Sequence, residues 1–533
     1  MRSSRSKAWL GNRGPRLDHV GRRVFLLAAL GATLLPSGVA AQAWNTIEGL
    51  DRYFSQAQEA WGVPGMAVAV IRDGDVVLAR GYGRRSLDEP GEVDEHTLFA
   101  IASNSKAFTA AALATLVEEG RLDWDDRVQD HLPWFQVYDA WVSSEMRIRD
   151  LLSHRSGLGT YSGDLLWYGT GYSAEEVIRR VRHLPPSGSF RASYGYSNLM
   201  FITAGLVIEA VTGQAWAEVI QDRFIDPLGM DRTVASVSEL QGMGNVASPH
   251  SDRGGDLRTY AWYGWDNMAA AGGIISSVSD MSRWMRMQLG EGEFEGHRFF
   301  SPEAAHFMWT PHNSFAVGTS ARERYPSTHF RGYGMGWSLM DYRGHLVVSH
   351  GGGYDGMFSR LVLVPEVDLG VVVLTNSMTG ISTPLTYRVL DAFLGGDEVD
   401  WSGDALRRSA NNPGPEAATW ARWESERISG TPMPQPLSQF AGTFGGPLYG
   451  DATVQLQDGG LVLSLLPNPD LVGDLTHWHH DTFRVRWRTD FSWFGDGLVR
   501  FVRDPSGSIE EMKIDVPNGD FWFHEWELKR RDP

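Results

Sequence analysis

The chain of 533 residues contains no cysteine. That absence excludes disulfides, thiol nucleophiles and cysteine-ligated zinc. Packing alone must hold the fold, and a chain of this length can bury enough surface to do so. Lysine is almost as scarce. Of 48 basic residues only Lys7, Lys106, Lys513 and Lys529 are lysine, and the rest are arginine. Arginine stays protonated at any working pH, whereas lysine can lose its proton when desolvated. Positive charge is itself in short supply, with 65 acidic residues and a formal net charge of −17. Such a surface repels phosphate backbones and argues against nucleic-acid binding. Apolar runs of membrane length are also missing, since Val24 to Leu35 is too short to span a bilayer core as a helix.

That apolar run belongs to an N-terminal leader. Arg2, Arg5, Lys7, Arg13, Arg16, Arg22 and Arg23 precede or open it, and Ala41-Gln42-Ala43 closes it as an A-x-A cleavage site. Residues 1–43 therefore read as an export signal to a periplasmic or secreted location, with no stable membrane span after cleavage. Arg22-Arg23-Val24-Phe25-Leu26 resembles a twin-arginine signal, with Gly21 where Ser or Thr is usual.

The periodicity after the leader is mixed. Ile47 to Trp61 is an amphipathic helix pattern. Met66–Arg72 and Val76–Tyr82 are apolar strand runs joined by Asp73-Gly74, a hairpin signal. Phe99 to Glu119 reads as a long helix stopped at Gly120. Residues 121–290 read as helices and irregular loops. Leu346–Ser349, Arg360–Val364 and Leu369–Thr375 are further strands, and Thr383–Leu394 is a helix with Pro384 in its first turn. Strands at both ends with helices between predict an α/β chain of the α+β kind. One antiparallel sheet is flanked by helices, a helical lobe stands beside it, and a cleft lies between. This unit covers 44–398. Residues 399–436 are linker-like, rich in Pro and Asn, with a short helix around Trp420. From 437 to 533 short alternating strands predict a small β-barrel. The candidates are Thr453–Leu456, Leu461–Leu465, Phe483–Trp487, Leu498–Arg503, Ile509–Val516 and Phe521–Leu528.

One of the four lysines stands three residues after a serine, in Ser103-Asn104-Ser105-Lys106. On a helix that spacing puts both side chains on one face. A hydroxyl beside an amine of lowered pKa is a nucleophile beside its proton acceptor. The motif alone is weak, for Ser4-Arg5-Ser6-Lys7 repeats it inside the leader. Three other segments strengthen it: Tyr196-Ser197-Asn198, His350-Gly351-Gly352-Gly353 at the end of a strand, and the turn Leu152-Ser153-His154-Arg155-Ser156-Gly157-Leu158.

With these motifs in this order, residues 47 to 396 resemble the serine β-lactamase and penicillin-binding family. The likeness is to its branch of class C β-lactamases, D-Ala-D-Ala carboxypeptidases, D-aminopeptidases and esterases. Ala271-Gly272-Gly273-Ile274, Tyr333-Gly334-Met335-Gly336-Trp337 and Val373-Leu374-Thr375-Asn376 also resemble it. The tail, opening Phe440-Ala441-Gly442-Thr443-Phe444, is more loosely similar to the lipocalin-like domain fused to some members. The resemblance implies Ser103 as nucleophile, Lys106 as its base, Tyr196 as proton relay, and Asn198 bonded to Lys106 and to the substrate amide. His350 stands in place of the lysine of the K-T-G box. It is expected to donate to a substrate carboxylate or to Tyr196, without needing full charge near neutral pH. Gly352 and Gly353 are expected to touch substrate, with the N–H groups of Ser103 and Gly353 forming an oxyanion hole. No metal or organic cofactor is implied, and the partner is a small molecule or short peptide.

The expected activity is acyl transfer to water from small amides or peptides, including those with D-residues. An esterase or a weak β-lactamase is the alternative on the same site. A non-catalytic scaffold of the same fold would carry a damaged motif, and none of the three is damaged. Several further features read as structural. His154 sits in a turn, and His477-Trp478-His479-His480 lacks partner ligands for a metal. Trp478, Trp487, Trp493, Trp522 and Trp526 either fill the barrel core or line a ligand cavity. H-G-G-G also occurs in α/β-hydrolases, but no G-x-S-x-G elbow accompanies it here. The barrel is a candidate to cap the cleft and limit substrate size, or to mediate a homo-oligomer.

Overall fold

A computed structural model describes residues 45–531 apart from 254, 411–413 and 435. The leader and its processing site lie outside the described residues. The first helix, α1, runs Ile47–Trp61, capped by Thr46, whose hydroxyl accepts from Gly49 N at 3.0 Å, and stopped at Gly62 in the left-handed region. Strands β1 (Gly65–Arg72) and β2 (Asp75–Gly83) follow as a hairpin. Its turn residues Asp73 and Gly74 both have positive φ, as the two-residue loop requires. The helical lobe contributes α2 (Ser105–Glu118) and α3 (Asn198–Thr212), and α4 (Val278–Leu289) returns to the sheet.

The remaining strands of the sheet are β3 (Asn313–Phe315), β4 (Arg331–Tyr333), β5 (Ser338–Tyr342), β6 (His345–Tyr354), β7 (Met357–Val364) and β8 (Leu369–Thr375), closed by α5 (Ser382–Leu394). The sheet is antiparallel in the order β2-β1-β8-β7-β6-β5-β4-β3. The first and last segments of this unit, β1 and β8, thus pair side by side one strand in from the sheet's edge, as strand runs at both ends of the unit imply.

Alternation along β1 explains the layers. Met66, Val68 and Val70 face one way and pack with Leu50, Phe54, Leu385 and Val389 of the terminal helices. Ala67, Ala69 and Ile71 face the other way and join the core containing Met281, Trp284, Met285 and all but the polar rim of the helical lobe. A side chain of this size buried in either layer contributes about 1.5–3 kcal/mol. No single helix among the described residues is long and apolar enough to cross a membrane.

The linker holds two helices rather than one, Trp401–Ala410 and α6 (Gly414–Glu426). Beyond it eight strands close into a barrel: β9 (Gly442–Gly446), β10 (Gly450–Gln457), β11 (Gly460–Leu465), β12 (Val472–His479), β13 (Thr482–Trp487), β14 (Gly497–Arg503), β15 (Ile509–Asp515) and β16 (Leu528–Arg530). One expected strand is corrected. Residues 521–528 are not extended throughout; Phe523–Glu525 is a helical turn, and only Leu528 belongs to the last strand. The cause is Asn518, whose Oδ1 accepts from the N–H groups of both Asp520 and Phe521 and turns the chain out of the barrel.

The segment turned out in this way docks on the helical lobe. Glu525 accepts from Ser162 Oγ, from Gly163 N at 3.0 Å and from Tyr449 Oη at 2.6 Å. A second junction is built on buried Asp355, which accepts from Tyr168 Oη at 2.8 Å, Ser492 Oγ at 2.7 Å and Trp265 Nε1 at 3.1 Å.

Candidate active site

Ser103 does not lie on α2 itself. It occupies a 3-10 turn, Ala102–Asn104, that leads into α2, and a short strand, Phe99–Ala100, precedes it. The expected helix from Phe99 therefore starts late. Ala102 holds φ +47, in the region a side chain rarely adopts, directly before the nucleophile. Ser105 to Leu116 are all buried, so α2 is wrapped on every side and carries Lys106 into the interior with no exposed surface.

Lys106 Nζ lies 3.0 Å from Ser103 Oγ, 2.7 Å from Asn198 Oδ1 and 2.8 Å from the carbonyl of Ala271. The rings of Tyr196 and Phe201 stand 4.8 and 5.3 Å away. Burial lowers its pKa to about 7, against the opposing pull of Asp164. The geometry then decides where the lone pair points. A neutral amine keeps two hydrogens. Asn198 Oδ1 and the Ala271 carbonyl can only accept, so they take both, and the lone pair faces the one neighbour able to donate, the Ser103 hydroxyl. Asn198 is held in this orientation by donating Nδ2–H to Asp164 Oδ2 at 2.7 Å. Asp164 is itself buried, which raises its pKa to about 7.

Tyr196 closes the other side of Ser103. Burial pushes its phenol well above its usual value, with Tyr161 adding to the rise and a side-chain hydrogen bond with Ser103 working the other way. Tyr196 is thus a neutral hydroxyl, and Lys106 is the group whose charge changes near neutral pH. His154 is structural, as its turn implies. It is buried, its Nδ1 accepts from Ser197 N at 3.1 Å, and its ring packs 4.2 Å from that of Tyr196.

The structure gives His350 different neighbours from those the resemblance implies. Nδ1 donates to the Gly351 carbonyl at 2.6 Å, which leaves Nε2 to accept from Tyr333 Oη at 2.8 Å. Burial, followed by the nearby Lys106 charge, lowers its pKa to about 3. His350 is therefore neutral, both nitrogens are engaged, and its ring centroid lies 6.2 Å from that of Tyr196. It has no hydrogen to spare for Tyr196 or for a carboxylate.

Glycine at 352 is required by a close approach. A Cβ there would lie 2.3 Å from the Ile101 carbonyl oxygen and 2.9 Å from Ser103 N, so β6 lies against the nucleophile turn. A Cβ at Gly353 would meet Trp493 at 2.8 Å.

These groups open into one cavity of about 450 Å³, lined by Ser103, Tyr196, Asn198, His350, Gly352 and Gly353. All the expected site residues with exposed reactive surface are thus brought together, and Lys106 sits behind them. Sequence reasoning missed Tyr161, Asp164 and Arg360, which line the same cavity. No motif marks them, since each is a lone residue in an irregular loop or in a strand. Of the barrel's share, the sequence offered the barrel as a cap and Trp493 as a cavity-lining residue, but neither Asp520 nor Phe521. Trp493, Asp520 and Phe521 form part of the wall. Burial raises the Asp520 carboxyl to about 6. Trp478 and Trp526 instead line a separate groove of about 600 Å³ beside α6. No group of acidic and histidine side chains suited to a metal occurs among the described residues; His477 Nε2 bonds the His480 carbonyl.

Comparison with known proteins agrees with this geometry. The family model described as Beta-lactamase matches residues 50–393, and one described only as a domain of unknown function matches 426–530. An unguisins hydrolase of Aspergillus campestris is 29% identical over 75% of this chain and 76% of its own length. The D-stereospecific amidohydrolase of a Streptomyces species is 26% identical, covering 65% of this chain and 99% of that one, with a TM-score of 0.51. The fold as a whole, barrel included, is shared with an octameric penicillin-binding protein homologue from Pyrococcus abyssi. That homologue is 22% identical, with a TM-score of 0.59 over 90% of this chain and 99% of that chain. Over residues 50–393, from α1 to the closing helix of the sheet, the chain belongs to the β-lactamase family of serine hydrolases.

Proposed function

We propose that this protein hydrolyses small amides or short peptides, including those with D-residues, through an acyl-enzyme on Ser103, after export by its leader. The observation that carries the reading is the placement of Lys106: a buried amine whose two acceptors leave its lone pair aimed at Ser103 Oγ. Similarity to an unguisins hydrolase supports a hydrolytic reaction, and similarity to a D-stereospecific amidohydrolase supports the amide preference.

The steps follow from the donors and acceptors available. Neutral Lys106 takes the Ser103 proton as Oγ attacks the carbonyl carbon. We assign the N–H groups of Ser103 and Gly353 as the oxyanion donors. When the C–N bond breaks, the proton on Lys106 passes through the Tyr196 hydroxyl to the leaving nitrogen. Water then attacks the Ser103 ester, losing its proton to Lys106; as the C–Oγ bond breaks, Lys106 returns that proton to Ser103 Oγ, and the product acid leaves, its own proton going to solvent. Tyr196 acts throughout as a hydroxyl and not as an anion, because its phenol is raised far above neutral pH. Esters, with better leaving groups, are expected to turn over on the same site. A neutral His350 at the K-T-G position argues against efficient β-lactam turnover.

Labelling with a fluorophosphonate and mapping the adduct tests the reading. The adduct is expected on Ser103 and is expected to be lost in Lys106→Ala. An adduct on another serine, or equal labelling of the variant, overturns it.

A further inference from the structure

The groove of about 600 Å³ on the barrel shares no lining residue with the catalytic cavity. A volume in this range suits a small organic ligand. Its floor is the outer face of β14 and β15. Along β14, Arg500 is exposed between buried Val499 and Phe501, and along β15 Glu511, Lys513 and Asp515 alternate with buried Met512 and Ile514. Its walls carry indoles. Trp423 comes from α6, Trp478 from the end of β12, and Trp526 from the segment before β16.

Several donors around this groove have no protein partner. Trp423 and Trp478 are only 8% and 5% exposed, yet neither indole N–H bonds to any described residue. The Trp526 N–H, by contrast, donates to the Gly450 carbonyl at 3.3 Å. Arg500 likewise has no hydrogen bond or ion pair among the described residues. It stands directly across from Lys513 in the strand register, although like charges so placed repel. Lys513 has Glu511 3.4 Å away.

The charge pattern narrows the ligand. Glu426, Glu511, Asp515 and Glu527 also line the groove. An anion would be repelled by these four carboxylates, and a cation by Arg500 and Lys513. A wholly apolar molecule would strip water from all six. Both signs of charge suit a neutral molecule whose polar groups each donate and accept, and the indoles suit one with an apolar face. A pyranose has both features. Its rim hydroxyls each donate and accept, and its face of C–H groups packs on an aromatic ring.

We infer that the groove beside α6 is a binding site for a short neutral oligosaccharide, separate from the catalytic cavity. The tryptophans take the C–H faces of the sugar rings, Arg500 and Lys513 donate to ring hydroxyls, and the carboxylates accept from them. Occupancy there leaves the catalytic cavity open, so the barrel holds the enzyme on saccharide-bearing material while short substrates enter the cleft. The inference goes beyond the hydrolase reading and does not depend on it.

Calorimetric titration of the full chain with cellotetraose, chitotetraose and maltotetraose tests this. At least one of the three is expected to bind saturably, at one site per chain. Trp478→Ala should weaken that binding by at least about tenfold. Arg500→Met, at an exposed position outside the core, should weaken it by about three- to tenfold. Melting curves show whether each variant is folded, and should Trp478→Ala unfold, Arg500→Met decides alone. Both folded variants should react with the fluorophosphonate at the parent's rate. Binding of none of the three sugars, binding by Arg500→Met equal to the parent's, or loss of binding in Trp493→Ala, on the wall of the other cavity, overturns the site. Sugar binding needs no acyl-enzyme, so its failure is separable from that of the hydrolase reading, which the fluorophosphonate adduct decides.

Discussion

Two parts of the molecule meet at one cavity and contribute different things. The hydrolase unit supplies the groups that move a proton to or from Ser103, Lys106 and Tyr196, and behind them Asn198 and Asp164, which orient and bias Lys106. The barrel supplies only wall, through Trp493, Asp520 and Phe521. The first set is held by burial and short hydrogen bonds in a fixed arrangement. The second is carried on loops at the end of a separate fold. Chemistry and selection are therefore coded in different stretches of the chain, and substitutions in each should read out differently.

The largest separation is expected at the base. Lys106→Arg keeps the charge but cannot release a proton, and kcat should fall by about 10⁴-fold, close to the loss in Ser103→Ala. Residual activity within about tenfold of the parent, in a protein with an unchanged melting temperature, would remove Lys106 from the mechanism.

A smaller effect concerns pH. Lys106 must be uncharged to accept the serine proton, so kcat/KM should rise with pH through about 7 and fall about tenfold per unit below it. The Asp164 charge favours the ammonium form, so Asp164→Asn should move this limb to lower pH. A limb that stays in place, measured on one uncharged ester, would detach Asp164 from the base.

The smallest effects belong to the barrel. Trp493→Ala should change KM across a series of substrates of increasing size while leaving kcat for the shortest nearly constant. Asp520→Asn should lower kcat/KM for substrates with a free ammonium, relative to their N-acetylated forms, by about tenfold. Its carboxyl titrates at about 6, so in the parent this preference should fade as pH drops below that value. Identical substrate profiles in both variants would show the barrel wall to be inert, and the contrast between the two parts would collapse.

The sequence disclosed the chemical half better than the selective half, for a physical reason. Ser103, Lys106, Tyr196, Asn198 and His350 sit in short motifs because each is fixed by its immediate backbone: a 3-10 turn, a helix start and, for His350, the interior of β6, which runs on past the strand end expected at His350. The sheet was legible at β1, β2, β7 and β8, where apolar residues run continuously. It was not legible at β3 and β4, where three-residue strands carry no period. Asp164 owes its importance to Asn198 and Lys106, distant in the chain, and no local pattern encodes that. The state of His350 was equally hidden, since Tyr333, which occupies its Nε2, sits on a strand the periodicity did not reveal. Trp493 and Asp520 were visible as an aromatic and a turn residue, but their position against Gly353 and the cleft depends on how the barrel docks.

The chain between residues 516 and 526 leaves the barrel once and does two jobs in that excursion. Asp520 and Phe521 line the catalytic cavity, and a few residues on Glu525 accepts from the Ser162 hydroxyl and the Gly163 N–H, directly before Asp164. An insertion of even one residue there would shift the selectivity surface and slacken the support of the base together. Replacing Asp520 and Phe521 while keeping Glu525 and the spacing would alter admission alone. Diversifying just those two positions is therefore the economical way to re-aim this hydrolase at new molecules without rebuilding its proton path.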